Sequence, residues 1–324
     1  MRSTAQISAV TATVAAGCLL FPGLADAVPG PNGVQEVVTA VGASTTYEVT
    51  GAIFAAANAS AANTDPDTYV NLPPDPAPGG PFDPGDGSGD VVRSDLPRSP
   101  SDPAAFQYYG FAKDAVSWAA SSTGAGAGVT LTLAQLRGIY DGTVTNWNQV
   151  GGANAPITVY LPPAGSGTSV IFAKAVLGFD PAAKPVAVHR FREHDATTIP
   201  AADRPTAIAP YSVAQWAEQG NGVVSDKRAG FLAGTLIGAG SDASPVAGTP
   251  QNYVPAYGEG FLGAHSVYYV VDTRLPSHDA AVNAIGFDQT GPSPLCAGSY
   301  ASILAQYSFK PLPASPAGIT CTLS

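Results

Sequence analysis

The sequence predicts an α/β protein built as two lobes, and three observations carry that expectation. Strand-like runs alternate with helical stripes along the chain. The order strand, small hydroxyl-rich turn, helix occurs twice, around residues 37–62 and 157–177. Length supplies the third: a leader ending at Ala27 leaves 324 − 27 = 297 residues, more than one small core needs and suited to two lobes of about 100–200 residues each.

Arg2 supplies a weakly positive start, an apolar stretch runs from Ile7 to Leu24, and Ala25-Asp26-Ala27 has the small-x-small form of a cleavage site. Residues 1–27 are therefore expected to be a signal peptide, with the mature chain beginning at Val28 and lying in the secreted, cell-surface or periplasmic space. Cys18 falls inside this leader. Lipid anchoring there is the disfavoured alternative, because Ala15-Ala16-Gly17-Cys18 lacks the usual upstream leucine and more apolar sequence follows. Cys296 and Cys321 then remain in the mature chain and are expected to pair as a disulfide.

The formal charge of −10 argues against nucleic acid or an anionic membrane surface as partner. It leaves room for a small anion, which is held by local dipoles and hydrogen bonds whatever the sign of the surrounding surface. With 36 Gly and 30 Pro, these residues make up about a fifth of the chain, below the share of roughly 25–30% that marks low complexity, so the bulk should fold. After the leader, no run is long and apolar enough to span a bilayer.

Residues 37–41 read as a short strand, 42–47 as a turn, and 48–62 as a helix with Val49, Ile53 and Phe54 on one face. The clustered Pro, Asp and Gly of 64–90 predict a long surface loop. The apolar run 106–120 predicts a buried strand or a pair of short ones, followed by a Gly/Ala-rich segment at 124–128. Thr132 and Gln135 form a capping-box signature ahead of the stripe Leu133, Leu136, Ile139 and Tyr140, which stops at Asp141-Gly142. Residues 157–161 predict a strand, 162–168 a loop and 169–177 a helix. The mixed pattern continues through 207–217 and 230–237; 266–271 is a late strand, and Tyr300, Ile303, Leu304 and Tyr307 mark a last helix.

The turn Gly165-Ser166-Gly167-Thr168 is the first candidate site. Unpaired N–H groups and the positive end of the dipole at a helix N-terminus can hold a phosphate-like anion without a neighbouring cation. Glycine permits close backbone approach, and the Ser166 and Thr168 hydroxyls add donors. An ordinary Ser-capped helix after a glycine turn reads the same residues equally well. Asp95 is the second candidate, because a carboxylate accepts the proton of monohydrogen phosphate and repels sulfate; a turn aspartate capping its own backbone is the plainer account.

His189, Glu193, His194 and Asp195 invite a metal assignment, but Arg190 and Arg192 lie among them and no clear third ligand is near. They read better as a solvated charged turn, so no metal and no cofactor is expected. No Gly-x-Ser-x-Gly elbow, Walker loop or dinucleotide fingerprint occurs, and His265 and His278 carry no triad cue, so no catalytic residue is assigned.

These segments resemble the phosphate-binding proteins of high-affinity phosphate ABC transporters (PstS-like), in their secreted actinomycete form. LTLAQLRGIYDGTVTNWNQVGG at 131–152 is similar to the family's "LT..Q..GI..G.ITNW" signature, and GSGTS at 165–169 to its phosphate loop. The resemblance implies a type II periplasmic-binding-protein fold, each lobe a mixed sheet flanked by helices. It places lobe 1 at 28–115 and 245–324 and lobe 2 at 116–244.

The resemblance further implies Thr45, Thr46 and Tyr47 as a first ligand loop, with Asp95 accepting the ligand's proton and Gly165, Ser166, Gly167 and Thr168 facing them. Ser44, Arg93, Ser94 and Ser88 are secondary candidates. The implied protein is a monomeric, non-enzymatic receptor for phosphate or a similar oxyanion, delivering it to an ABC permease. Pro162 and Ala164 stand where the family's loop has Arg and Asp, which removes a charge-assisted donor worth about 1.5–3 kcal/mol, and Arg93 or Arg98 are the candidate replacements. Two alternatives follow: a receptor for sulfate, molybdate or tungstate, and a secreted surface or interaction protein that keeps the fold without binding phosphate.

Overall fold

The computed structural model describes residues 36–60, 67–74, 89–240, 244–288 and 291–324. The expected signal peptide, Cys18 and Ser88 lie outside the described residues.

The first half begins with strand β1 (Val37–Gly42), helix α1 (Tyr47–Ala59), and strands β2 (Thr68–Asn71) and β3 (Val91–Ser94). The long strand β4 (Phe106–Ser121), β5 (Leu131–Thr132) and helix α2 (Leu133–Asp141) come next. Then follow β6 (Thr158–Leu161), helix α3 (Gly167–Ile171), β7 (Val188–Arg190), β8 (Ala207–Ser212) and helix α4 (Val213–Gly220).

The remainder has β9 (Phe231–Ala233), β10 (Leu236–Ile237), β11 (Val246–Ala247), β12 (Val254–Pro255), β13 (Ala264–Asp272) and α5 (His278–Ile285). It ends with β14 (Phe287–Asp288), β15 (Gly291–Pro292), α6 (Ala301–Gln306), β16 (Lys310–Pro311) and β17 (Thr322–Leu323).

The main sheet is mixed and runs β2-β1-β3-β13-β4-β8-β6-β7, with β9, β16 and β17 also pairing with β4. β1 lies between β2 and β3 and parallel to both, β6 lies between β8 and β7 and parallel to both, and every partner of β4 is antiparallel to it. β4 explains the two-lobed form. It is almost wholly buried, which suits a near-continuous apolar run covered on both faces. Through Ala115 it pairs with β13, β16 and β17; from Val116 it pairs with β8 and β9.

Two main cores follow this change of partner. One gathers Val38, Ile53, Phe54, Phe111, Tyr269 and Ile285; the other gathers Trp118, Leu136, Trp147, Tyr160, Phe172 and Trp216. Val246, Tyr257 and Phe261, which a boundary at 245 counts with the first lobe, pack in the second core. Helix α4 belongs to both, with Ala214 in the first core and Trp216 and Ala217 in the second.

The capping box at α2 forms as its sequence predicts: Thr132 accepts from the Gln135 N–H, the Gln135 side chain accepts from the Thr132 N–H, and Gly142 closes the helix at φ 85°. Run 106–120 is one strand rather than two. The helix predicted at 169–177 begins two residues earlier and passes from α-helical into π-helical geometry over Phe172–Leu177. The expected loop at 64–90 needs correction, because Thr68–Asn71 pairs in parallel with β1. Its alternating Thr, Tyr and Val have strand chemistry, but Pro and Asp on both sides conceal so short a segment. Cys296 and Cys321 form a disulfide across Cα atoms 4.9 Å apart, inside the first core.

Candidate functional site

Five chain segments converge where parallel strands β1, β3, β6, β7 and β8 end. In open α/β sheets the crevice outside the carboxyl ends of the strands is where loops can present side chains and free N–H groups to a ligand. β1 stops at Gly42, whose φ of 106° lets the chain turn where a Cβ would sit 2.5 Å from the Arg93 carbonyl oxygen. Ser44, Thr45 and Thr46 follow and lead into α1. Asp95 comes directly after β3, the 162–166 loop after β6, Phe191 to Asp195 after β7, and Ser212 caps α4 after β8.

The Gly-Ser-Gly-Thr turn lies against the first lobe's loop. Asp95 is 3% exposed and packs so tightly on Gly167 that a Cβ there would stand 2.1 Å from Asp95 Oδ2. The Thr45 hydroxyl donates to Asp95 Oδ2 at 2.9 Å and lies 3.2 Å from His194 Nε2, which is 3.5 Å from Thr168 Oγ1. Ser166 also caps α3, its hydroxyl accepting from the Ser169 N–H at 3.3 Å.

At the centre of this arrangement sits the carboxylate of Glu193. Its Oε1 accepts the Thr168 N–H at 3.1 Å and its Oε2 accepts the Ser44 hydroxyl at 2.6 Å. Burial alone would raise its pKa, but neighbouring His194 and the donors Ser44, Thr168 and Ser166 outweigh that and hold the carboxyl below its ordinary range. Burial lowers the pKa of His194 against the pull of Glu193 and Asp114. Asp95 moves the opposite way: burial first, then the Glu193 charge, push it up to about 8, against the Thr45 hydrogen bond. Asp95 Oδ1, Thr46 Oγ1 and His194 Nδ1 are buried without hydrogen-bond partners among the described residues.

The turn that delivers Glu193 is clamped. His194 takes φ 57°, a left-handed conformation that costs a non-glycine residue about 1–3 kcal/mol and persists only where surroundings enforce it. Its carbonyl accepts from Tyr211 Oη at 2.6 Å and Gln219 Nε2 at 2.9 Å. Gln215 Nε2, on the same helix as Gln219, donates to the Thr45 carbonyl at 2.9 Å and so ties α4 to the Ser44–Thr46 loop. Asp114 on β4 accepts from the Ala214 N–H at 2.9 Å and from the Ser212 hydroxyl, anchoring the start of that helix. A cleft of about 260 Å³ opens outward from here, bordered by Ser44, Tyr47, Glu48, Arg192, Glu193 and Lys227.

Of the residues singled out from sequence, Ser44, Thr45, Asp95, Ser166, Gly167 and Thr168 meet at this point. Gly165 is an exposed turn residue at φ 89°. Thr46 begins α1, its carbonyl accepting from the Thr50 N–H at 3.0 Å, and the Tyr47 N–H donates to the Ser44 carbonyl at 3.2 Å.

Arg93 and Ser94 face other partners. Every N–H of the Arg93 guanidinium is taken, by the carbonyls of Ala40, Gly42, Ala43 and Leu72 and by Asn71 Oδ1, with its charge over the Tyr47 ring. Arg98 bonds the carbonyls of Phe106 and Pro103. Neither supplies the cation missing from the 162–168 loop. Ser94 closes its own turn with Leu96.

The charged segment 189–195 corrects the sequence reading most. His189 is exposed on β7, but His194 is 4% and Asp195 8% exposed, and Glu193 points inward rather than into solvent. Glu193, His194, Gln215 and Asp114 were not singled out as site residues. The available signal was positional: Glu193 and His194 follow a short strand in a strand–helix–strand order, where parallel topology delivers ligand loops.

The fold is a two-lobed α/β one, the type II periplasmic-binding-protein architecture. Residues 27–273 match the family described as the PBP superfamily domain, and the chain belongs to it. Solved structures agree in fold. A putative phosphate ABC transporter substrate-binding protein with bound phosphate from Clostridium perfringens aligns with TM-score 0.59 and 18% identity, covering 85% of this chain and 98% of that one. An ABC-type phosphate transport receptor from Vibrio cholerae aligns with TM-score 0.54 and 16% identity over 85% and 100%. A phosphate-binding protein from Stenotrophomonas maltophilia gives 0.50 and 15% over 86% and 91%.

Proposed function

We propose that this chain is an exported, non-enzymatic receptor that captures inorganic phosphate, or a similar tetrahedral oxyanion, between its lobes for uptake through an ABC-type permease. The observation that carries the reading is the Glu193 carboxylate. Its oxygens stand in for those of an oxyanion, taking donors from the Ser44 loop and from the N-terminus of α3 together. The solved structures of like fold include a transport receptor for phosphate and a substrate-binding protein with phosphate bound, which supports the same class. The lobes we assign close about β4, between Ala115 and Val116, and the chain returns to the first lobe after Phe261 rather than at 245, because Val246, Tyr257 and Phe261 pack in the second core.

Asp95 supports phosphate over sulfate, molybdate or tungstate. When ionised it accepts the hydrogen of monohydrogen phosphate, while sulfate offers it only charge repulsion. Calorimetric titration of the mature chain with phosphate and sulfate above pH 8, where Asp95 is ionised, tests the reading: phosphate should bind, and Asp95→Asn should lower the phosphate-to-sulfate affinity ratio at least about tenfold, or roughly 1.4 kcal/mol. A second reading, a secreted protein that keeps the fold without binding phosphate, is favoured by Pro162 and Ala164 in place of charged loop residues and by the acidic side chain inside the cradle. Absence of heat with either anion would select it.

A further inference from the structure

We propose that Glu193 is a built-in occupant of the anion cradle, so that an incoming oxyanion binds only by displacing it and the affinity of the site is set by that exchange. The proposal rests on reading the cradle as an oxyanion site. A carboxylate and a phosphate oxygen are both acceptors and compete for the same donors. The Thr168 N–H and the Ser44 hydroxyl, the two donors an anion here would use first, are already given to Glu193 Oε1 and Oε2.

Charge makes shared occupancy unfavourable as well. No cation stands at positions 162 or 164, the Arg93 donors are spent on carbonyls and Asn71, and Asp95 lies against the same turn. A phosphate beside an ionised Glu193 would thus meet like charge without a neutralising partner in the loop. Nor is the carboxylate there by loose packing. The left-handed His194 and the two hydrogen bonds to its carbonyl aim Glu193 inward. Its side chain is 10% exposed at the edge of the cleft, where Arg192 and Lys227 also stand to receive it once expelled.

Because the Glu193 bonds join the Ser44 loop to α3, the same carboxylate holds the lobes together before ligand arrives. A displacing anion takes over that bridge.

The test is calorimetric titration with inorganic phosphate of wild type, Glu193→Ala, Glu193→Gln and the double variant Glu193→Ala/Ser44→Ala, with thermal unfolding of each. Glu193→Ala should bind phosphate at least about tenfold more tightly than wild type, a gain of roughly 1.4 kcal/mol. Glu193→Gln should fall between them, and Ser44→Ala, which deletes the one contested side-chain donor, should remove much of the gain. Without phosphate Glu193→Ala should melt below wild type, and phosphate should restore the difference.

If wild type binds phosphate and both Glu193 variants bind it no better, Glu193 does not occupy the cradle and the proposal falls while the oxyanion reading stands. If no variant binds, both fall together. Should Glu193→Ala not fold, the near-isosteric Glu193→Gln carries the same comparison.

Discussion

Replacing Asp95 with asparagine should flatten the dependence of stability on pH, in a direction set by where the carboxyl is buried. In the folded chain Asp95 titrates at about 8, against an ordinary 3.8, because burial and then the Glu193 charge disfavour its ionised form. The folded state therefore binds more protons than the unfolded state between those values, and stability falls as pH rises through that window. At about 1.36 kcal/mol per pKa unit, the loss between pH 4 and pH 8 is on the order of 5 kcal/mol. For lobes of this size that corresponds to a fall in Tm of roughly 10–20 °C.

The substituted amide has no proton to lose, and its oxygen can still accept from the Thr45 hydroxyl. The variant should gain on wild type steadily from pH 5 to pH 8 and hold a constant advantage above. Glu193 works in the opposite sense on the acid side: its lowered pKa contributes stability above the ordinary glutamate range, and this is lost as pH falls through the folded value. Thermal unfolding followed by circular dichroism at half-unit pH intervals separates the two. Parallel profiles for wild type and Asp95→Asn from pH 5 to pH 8 would refute the placement of Asp95 in a desolvated, acid-lined site.

Gly167→Ala should disrupt the site, because its Cβ would meet Asp95 Oδ2 at 2.1 Å and Cγ at 2.6 Å; a loss of about 1–3 kcal/mol in unfolding free energy and at least roughly tenfold in phosphate affinity is expected. Gly165→Ala, with open space but φ 89°, is the control and should cost only about 1 kcal/mol of stability with no loss of affinity. Cys321→Ser opens the bridge to Cys296 across a separation of 25 residues, and urea unfolding should show a loss of about 3–4 kcal/mol. Equal midpoints with and without reductant in the wild type would contradict that value.

Local pattern determined the class and most elements of this protein. Apolar periodicity located α1, α2 and β13, a capping box located the start of α2, and the Gly-Ser-Gly-Thr turn between a strand and a helix located the start of α3. These are features of neighbouring residues, whose spacing is fixed by the chain itself. What the tertiary structure alone decided is which charges lie inside. Arg93 looks available in sequence, yet it is consumed by carbonyls that the pairing of β1, β2 and β3 brings around it. Glu193 and His194 look like a solvated turn, yet parallel pairing of β6, β7 and β8 carries them to the same edge as Thr168, and the lobe contact brings Ser44 to meet them. Burial of a charge depends on partners distant in sequence, here 149 positions apart for Ser44 and Glu193, and no local pattern encodes it.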